Sequence, residues 1–314
     1  MAAPDPSQTA APLSAEQQAL RQELEAHVKH LSTQLGERSL GRAWELADAA
    51  DYVATEWEQM GYTLVRQGYD VGEVVAQNLE VSVSGSDLGR ESIIIGAHYD
   101  SPPAGTGVDA ATGVAALLAV ARALRDSSPR RRLRFVAYAL GEPPHFRSES
   151  MGSLRHARQL AARGDAVTAM ISLDSLGYFS DKPGSQRSIS GIDVPLPQVG
   201  NFLLLLGSQS AASASRILSA GCDREPQLEL VLRTYAGGGD PPLAADDWPY
   251  RESGLPALVV SDTKSLRSAG SGRSPASVDW PRFTRFVSCL TRGIERLAKP
   301  PEAGAGAEPI PGSN

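Results

Sequence analysis

Residues 91–124 read ESIIIGAHYDSPPAGTGVDAATGVAALLAVARAL, and the order of residue types within them decides the fold. Ile93, Ile94 and Ile95 form a β-branched run suited to a strand buried on both faces. The run stops at Gly96-Ala97 and gives way to His98, Tyr99 and Asp100, then to a loop with two prolines and two glycines. Residues 113–124 are small and apolar apart from Arg122, the composition of a largely buried helix. Strand, polar loop and helix in this order predict an α/β unit. In open α/β sheets, ligands bind just beyond the carboxyl ends of the strands. His98, Asp100 and Asp109 all fall there.

The spacing of those three residues has a chemical meaning. A histidine binds a divalent metal through one ring nitrogen, and a nearby carboxylate can accept the proton on the other and fix the tautomer. His98-x-Asp100 supplies such a pair, and Asp109 offers a further carboxylate at the mouth of the next helix. Taken alone, the same three residues suit an ordinary polar surface loop. The chain downstream weighs against that reading. A strand over residues 133–140 ends in Gly141-Glu142-Pro143-Pro144, and Pro143 cannot continue a central ladder, which leaves Glu142 at the strand's edge. A strand over residues 167–173 ends in Asp174. Three strands thus deliver His98, Glu142 and Asp174 to one edge of a sheet.

Around this centre, Ser14 with Gln17 predicts a capping box opening a first helix, with Leu20, Leu24, Val28, Leu31 and Leu35 on one face. A second helix spans residues 41–60, strands span 62–71 and 74–83, and a helix spans 151–162. Residues 199–221 are expected as a helix or helix pair, 228–232 and 255–261 as strands, and 280–297 as a last amphipathic helix. The β-α alternation predicts a three-layer α/β/α sandwich with a mixed, centrally parallel sheet. It forms a single α/β domain over residues 14–298, with disordered tails at 1–13 and 299–314.

Composition narrows the function classes. With 314 residues, 41% hydrophobic and 21% charged, the chain is ordinary for a globular protein. A formal net charge of -6 gives no reason to expect nucleic acid or an anionic membrane as partner. Two cysteines, Cys222 and Cys289, exclude a disulfide scaffold and a CxxC metal site. The longest apolar run, residues 114–121, is too short to span a membrane. The N-terminus lacks the basic start and apolar core of a secretory signal, so a cytoplasmic location is expected. Gly105-Thr106-Gly107-Val108 lacks a P-loop lysine, and no Gly-x-Ser-x-Gly elbow is present.

His98-Tyr99-Asp100-Ser101, Asp109, Glu142, Leu173-Asp174-Ser175 and Asp246-Asp247-Trp248-Pro249-Tyr250, in this order, resemble the zinc exopeptidases. The specific resemblance is to the family containing bacterial leucyl aminopeptidases, aminopeptidase Y and the glutaminyl cyclases, and it covers about residues 25–297. It implies two zinc ions bridged by Asp109. His98 and Asp174 would complete the first site, Glu142 and residue 247 the second, and Asp100 would orient His98. It also implies a general-base glutamate immediately before Glu142, and a peptide or amino-acid-like small ligand.

The chain departs from that pattern where it matters. The general-base position is Gly141, and the second-site histidine is Asp247. Aspartate is itself a competent ligand, but an oxygen-only site suits zinc less well, so one firmly bound zinc and a weak or empty second site are expected. General acid–base catalysis contributes typically ~10²–10⁴-fold, so its loss cripples turnover. His145 and Glu149 are the nearby side chains that could substitute as base, and a carboxylate restored at 141 is expected to raise activity. The reading is therefore a zinc-aminopeptidase-like protein with impaired or lost peptidase activity. The alternative is an active metal-dependent aminopeptidase, or a glutaminyl-cyclase-like acyltransferase, with an altered site.

Overall fold

The structure, a computed structural model, describes residues 11–236, 243, 245–267 and 274–301. In chain order the elements are α1 (Ala15–Lys29), α2 (Ala43–Gln59), β1 (Val65–Val71), β2 (Val74–Val83), β3 (Leu88–His98), α3 (Val108–Leu124), β4 (Arg131–Tyr138) and α4 (Gly152–Arg163). They continue with β5 (Ala166–Leu173), β6 (Phe202–Gly207), α5 (Ala212–Ala220), β7 (Glu229–Thr234), α6 (Trp248–Glu252), β8 (Ala257–Ser261), α7 (Lys264–Arg267) and α8 (Trp280–Ala298). The expected tails lie mostly outside the described residues.

The strands form one sheet in the order β1-β2-β4-β3-β5-β8-β6-β7. The middle four, β4, β3, β5 and β8, are parallel. On one side β2 joins β4 and β1 joins β2 antiparallel, and on the other β6 runs antiparallel to β8. The sequence of β3 shows why both faces are covered. Ile93 and Ile95 enter the main core, packed by α1, α2, α3, α5 and α8, whereas Ile94 points into a smaller core with Leu160 of α4 and Tyr250 of α6. Successive side chains of a strand face opposite ways, so a run without alternation needs helices on both sides. The capping box forms as the sequence implies, with Ser14 Oγ accepting the Gln17 N–H at 3.2 Å.

Two expectations change. Residues 202–207 are a strand, not helix, and only α5 remains of the helix pair. A short leucine run has no period to separate a buried strand from a buried helix. Here its backbone is taken up by β8 on one side and β7 on the other. The two cysteines are joined as a Cys222–Cys289 disulfide, which ties the segment after α5 to α8. It is a single staple on a large core rather than a scaffold. No helix among the described residues is long and apolar enough to cross a membrane.

Candidate metal centre

The parallel strands set the site. His98 is the last residue of β3, Asp174 follows β5 directly, and Glu142 lies four residues past β4, in the turn that leads to α4. Asp109 is in the first turn of α3, whose N-cap Gly107 has φ +63, a left-handed conformation that favours glycine. His98, Asp100, Asp109 and Asp174 are all buried.

His98 is held from both sides. Its Nδ1 lies 3.3 Å from Asp100 Oδ1, and its Nε2 lies 3.6 Å from Asp174 Oδ1. Burial opposes its protonation, but hydrogen bonding to Asp100 and Asp174 outweighs this and raises its pKa well above the ordinary histidine value. Asp100 also accepts the Gly141 N–H at 2.8 Å and the Glu142 N–H at 3.1 Å. One carboxylate therefore fixes both the imidazole and the turn that carries Glu142. These bonds keep Asp100 below the usual carboxylate range although burial pushes it up.

Glu142 is pushed up to about 7, first by burial and then by Asp100, Asp174 and Asp109, with His98 opposing. Asp100, Asp174 and Asp109 are thus close enough to Glu142 to oppose its ionisation, an arrangement a divalent cation relieves. Two ligand atoms 3.6 Å apart, as His98 Nε2 and Asp174 Oδ1 are, can both reach one zinc with bonds of about 2.0–2.2 Å. The donor chemistry of His98, Asp109, Glu142 and Asp174 fits such an ion. Among the described residues, however, no three His, Cys, Asp or Glu side chains are arranged closely enough to form a ready cage.

Asp247 stands apart. Its Oδ2 accepts Arg251 Nε–H at 3.0 Å and the Tyr235 hydroxyl at 3.1 Å. Burial raises its pKa to about 6, and the groups that oppose the rise are Arg251 and Tyr235. Its neighbour Asp246 is the one that senses the cluster. It is pushed up to about 7 by burial, with His98 opposing and Asp100 and Asp174 adding to the rise. The two substitute bases are engaged elsewhere. His145 Nδ1 lies 3.1 Å from Ser150 Oγ, and exposed Glu149 is paired with Arg158.

Gly141 is not simply an empty position. A Cβ built there would lie 2.7 Å from both Cβ and Cγ of His98. The imidazole of His98 thus packs where a side chain at 141 would begin. A side chain at 141 therefore requires His98 or the 140–142 turn to shift.

Sequence reasoning missed Arg38, which is fully buried. Its guanidinium donates to the carbonyls of Tyr99 at 2.7 Å, Leu31 and Gly36 at 2.6 Å, and Gly107 at 3.0 Å. Its main chain exchanges hydrogen bonds with Ser101, at 2.9 Å in both directions. Arg38 therefore ties the segment after α1 to both loops that present His98 and Asp109. Burial lowers its pKa to about 10, with Asp100 and Glu142 opposing, so it stays charged at neutral pH. The only signal in the sequence is a lone Arg in a polar connector.

The sequence model of peptidase family M28 matches residues 78–268. The chain belongs to that family. The Escherichia coli (strain K12) protein YfbL is 30% identical over 260 residues, covering 79% of this chain and 78% of its own length. A vacuolar membrane protease of Candida albicans is 44% identical over 61 residues, only 7% of its length. Among solved structures, the zinc aminopeptidase BSAP of Bacillus subtilis gives a TM-score of 0.70 at 11% identity, over 90% of this chain and 96% of that one. The Legionella pneumophila LapA aminopeptidase gives 0.66 at 17% identity, over 95% and 78%. A glutaminyl cyclase from Fimbriiglobus ruber gives 0.62 at 16% identity, over 94% and 99%. At these identities the likeness establishes the fold, and this M28 chain's chemistry has to be argued from its own residues.

Proposed function

We propose that this M28 chain holds one zinc ion through His98, Asp109 and Asp174 and has little or no aminopeptidase turnover. The observation that carries the reading is Gly141. The position expected to hold the general base has no side chain, and the His98 ring fills the space ahead of its Cα. Zinc bound there would supply a Lewis acid and an activated water, but proton transfer to a leaving amine still needs a base. Asp100 would orient His98 and hold the turn bearing Glu142. A crevice of about 220 Å³, lined by residues that include Asp100, Pro103, Glu142, Pro143 and His145, has room for part of a peptide or amino-acid-like ligand. The Cys222–Cys289 disulfide favours an oxidising compartment over the cytoplasm.

One feature favours a second reading, an altered but working aminopeptidase or acyltransferase. Glu142 lines the crevice beside His98, and burial with the nearby carboxylates favours its protonated form, so it is a carboxyl placed to exchange a proton with a ligand there. Zinc content after gentle dialysis, measured beside hydrolysis of a panel of aminoacyl substrates, separates the two. The first reading expects zinc that is lost in His98→Ala, with turnover near background in added zinc. Robust hydrolysis by the unmodified chain, abolished by Asp109→Ala, would refute it and leave the second.

A further inference from the structure

Position 247 is where a second ion's ligand was expected, and the side chain there already has a cation. Asp247 is fully buried. Its Oδ2 takes the Arg251 Nε–H and the Tyr235 hydroxyl, and among the described residues its Oδ1 has no hydrogen-bond partner. The guanidinium is fixed in turn. Its Cζ lies 3.8 Å from the centroid of the Tyr235 ring, over the face that attracts cations. Arg251 sits one helical turn after Asp247, and its backbone N–H donates to the Asp247 carbonyl at 3.0 Å, so α6 itself sets the pair. No other cation contacts Asp247 among the described residues.

We infer that Arg251 stands in place of a second metal ion. Its guanidinium, held on Asp247 and the Tyr235 ring, supplies the positive charge that Asp247 would otherwise draw from an ion, and keeps the centre mononuclear. Removing an arginine from a buried carboxylate leaves that charge uncompensated, which is the condition under which a divalent ion is taken up. A guanidinium cannot polarise a bound water as a metal does, so the exchange keeps the charge and loses the chemistry. The inference rests on the reading of the His98 site as an ion site, and the test separates the two.

The experiment counts zinc per chain by elemental analysis after gel filtration, and follows cobalt substitution by its visible absorption, with near-ultraviolet circular dichroism to check folding. Loss of the first ion in His98→Ala judges the reading of the His98 site. The inference is judged on the changes made at Arg251 and Asp247. Arg251→Lys should keep the wild-type count. Asp247→His alone should also keep it, because the guanidinium still occupies the position. Asp247→His combined with Arg251→Met should gain a further ion per chain. A folded double variant with no gain, or a full gain in Asp247→His alone, would overturn the inference. Should the double variant fail to fold, Arg251→Met alone decides. Its zinc isotherm should acquire a second, weaker step, and an isotherm identical to wild type would overturn the inference equally.

Discussion

Gly141→Ala is the smallest change that tests how the site is packed. The added Cβ would begin 2.7 Å from His98 Cβ and Cγ and 3.3 Å from Cδ2. Carbon atoms sit comfortably at about 3.5–4.0 Å, so the gap must open by roughly 1 Å. Neither wall yields easily. His98 is pinned through Nδ1 to Asp100, and the Gly141 N–H donates to that same Asp100 oxygen at 2.8 Å. Overpacking of this kind costs about 1–3 kcal/mol. The displaced group is a proposed ligand, and disturbing the support of a ligating histidine lowers metal affinity by about 10–100-fold.

Urea unfolding of the metal-free protein should therefore show Gly141→Ala destabilised by about 1–3 kcal/mol. Calorimetric titration should show zinc bound about tenfold more weakly, or worse. Gly141→Glu should fare no better on either measure and should gain no peptidase turnover, although it restores a carboxylate. An alanine variant with wild-type stability and zinc affinity would show that the 140–142 turn moves aside freely. A clear gain of hydrolysis in Gly141→Glu would refute the packing argument while supporting the missing base as the cause of low turnover.

Arg38→Met removes the donors to four carbonyls, three of them in buried hydrogen bonds, and a buried charge, so it should cost at least about 3 kcal/mol in urea unfolding, and Arg38→Lys should recover less than half because one ammonium cannot span the four acceptors. A loss below about 1 kcal/mol would mean that water replaces the guanidinium. Acid stability should depend on Glu80, whose pKa falls from 4.5 to about 2 because hydrogen bonds from His156 and Arg134 outweigh its burial. A folded-state pKa below the unfolded one gives stability that is present above about 4.5 and lost as the pH falls through about 2, here roughly 3 kcal/mol. Glu80→Gln should flatten the stability–pH curve across that window; an unchanged slope would place the acid sensitivity in other carboxylates.

The parts of the molecule legible in the sequence are those written in local patterns. Ile93, Ile94 and Ile95 announce a doubly covered strand, and the placement of His98, Glu142 and Asp174 beyond the carboxyl ends of their strands follows, because a parallel sheet points all its strand ends one way. Residues 202–207 were misread because a leucine run carries no period. Arg38 and Arg251 were missed for a different reason. Their roles depend on contacts that no periodicity encodes, across 61 residues to Tyr99 in one case and with the ring of Tyr235 in the other. Nor could the sequence distinguish Asp246 from Asp247 as the carboxylate that senses His98. Adjacent residues at a helix start point in different directions, and of the partners that sort them Arg251 lies on the same helix but Tyr235 on a separate segment.

The two departures at the centre belong to a wider arrangement of charge. Asp100 and Glu142 have the buried guanidinium of Arg38 behind them, and Asp247 has Arg251. The imidazole of His98 in turn faces Asp100 and Asp174, with Glu142 close enough to act on it. Position 141 is closed by the His98 ring, and position 247 is neutralised by a side chain of its own helix. Each departure is thus supported by a neighbour that would have to change with it. On the reading proposed above, hydrolysis would require His98 to shift and Arg251 to leave together with the two substitutions, so no single replacement at 141 or 247 should raise it.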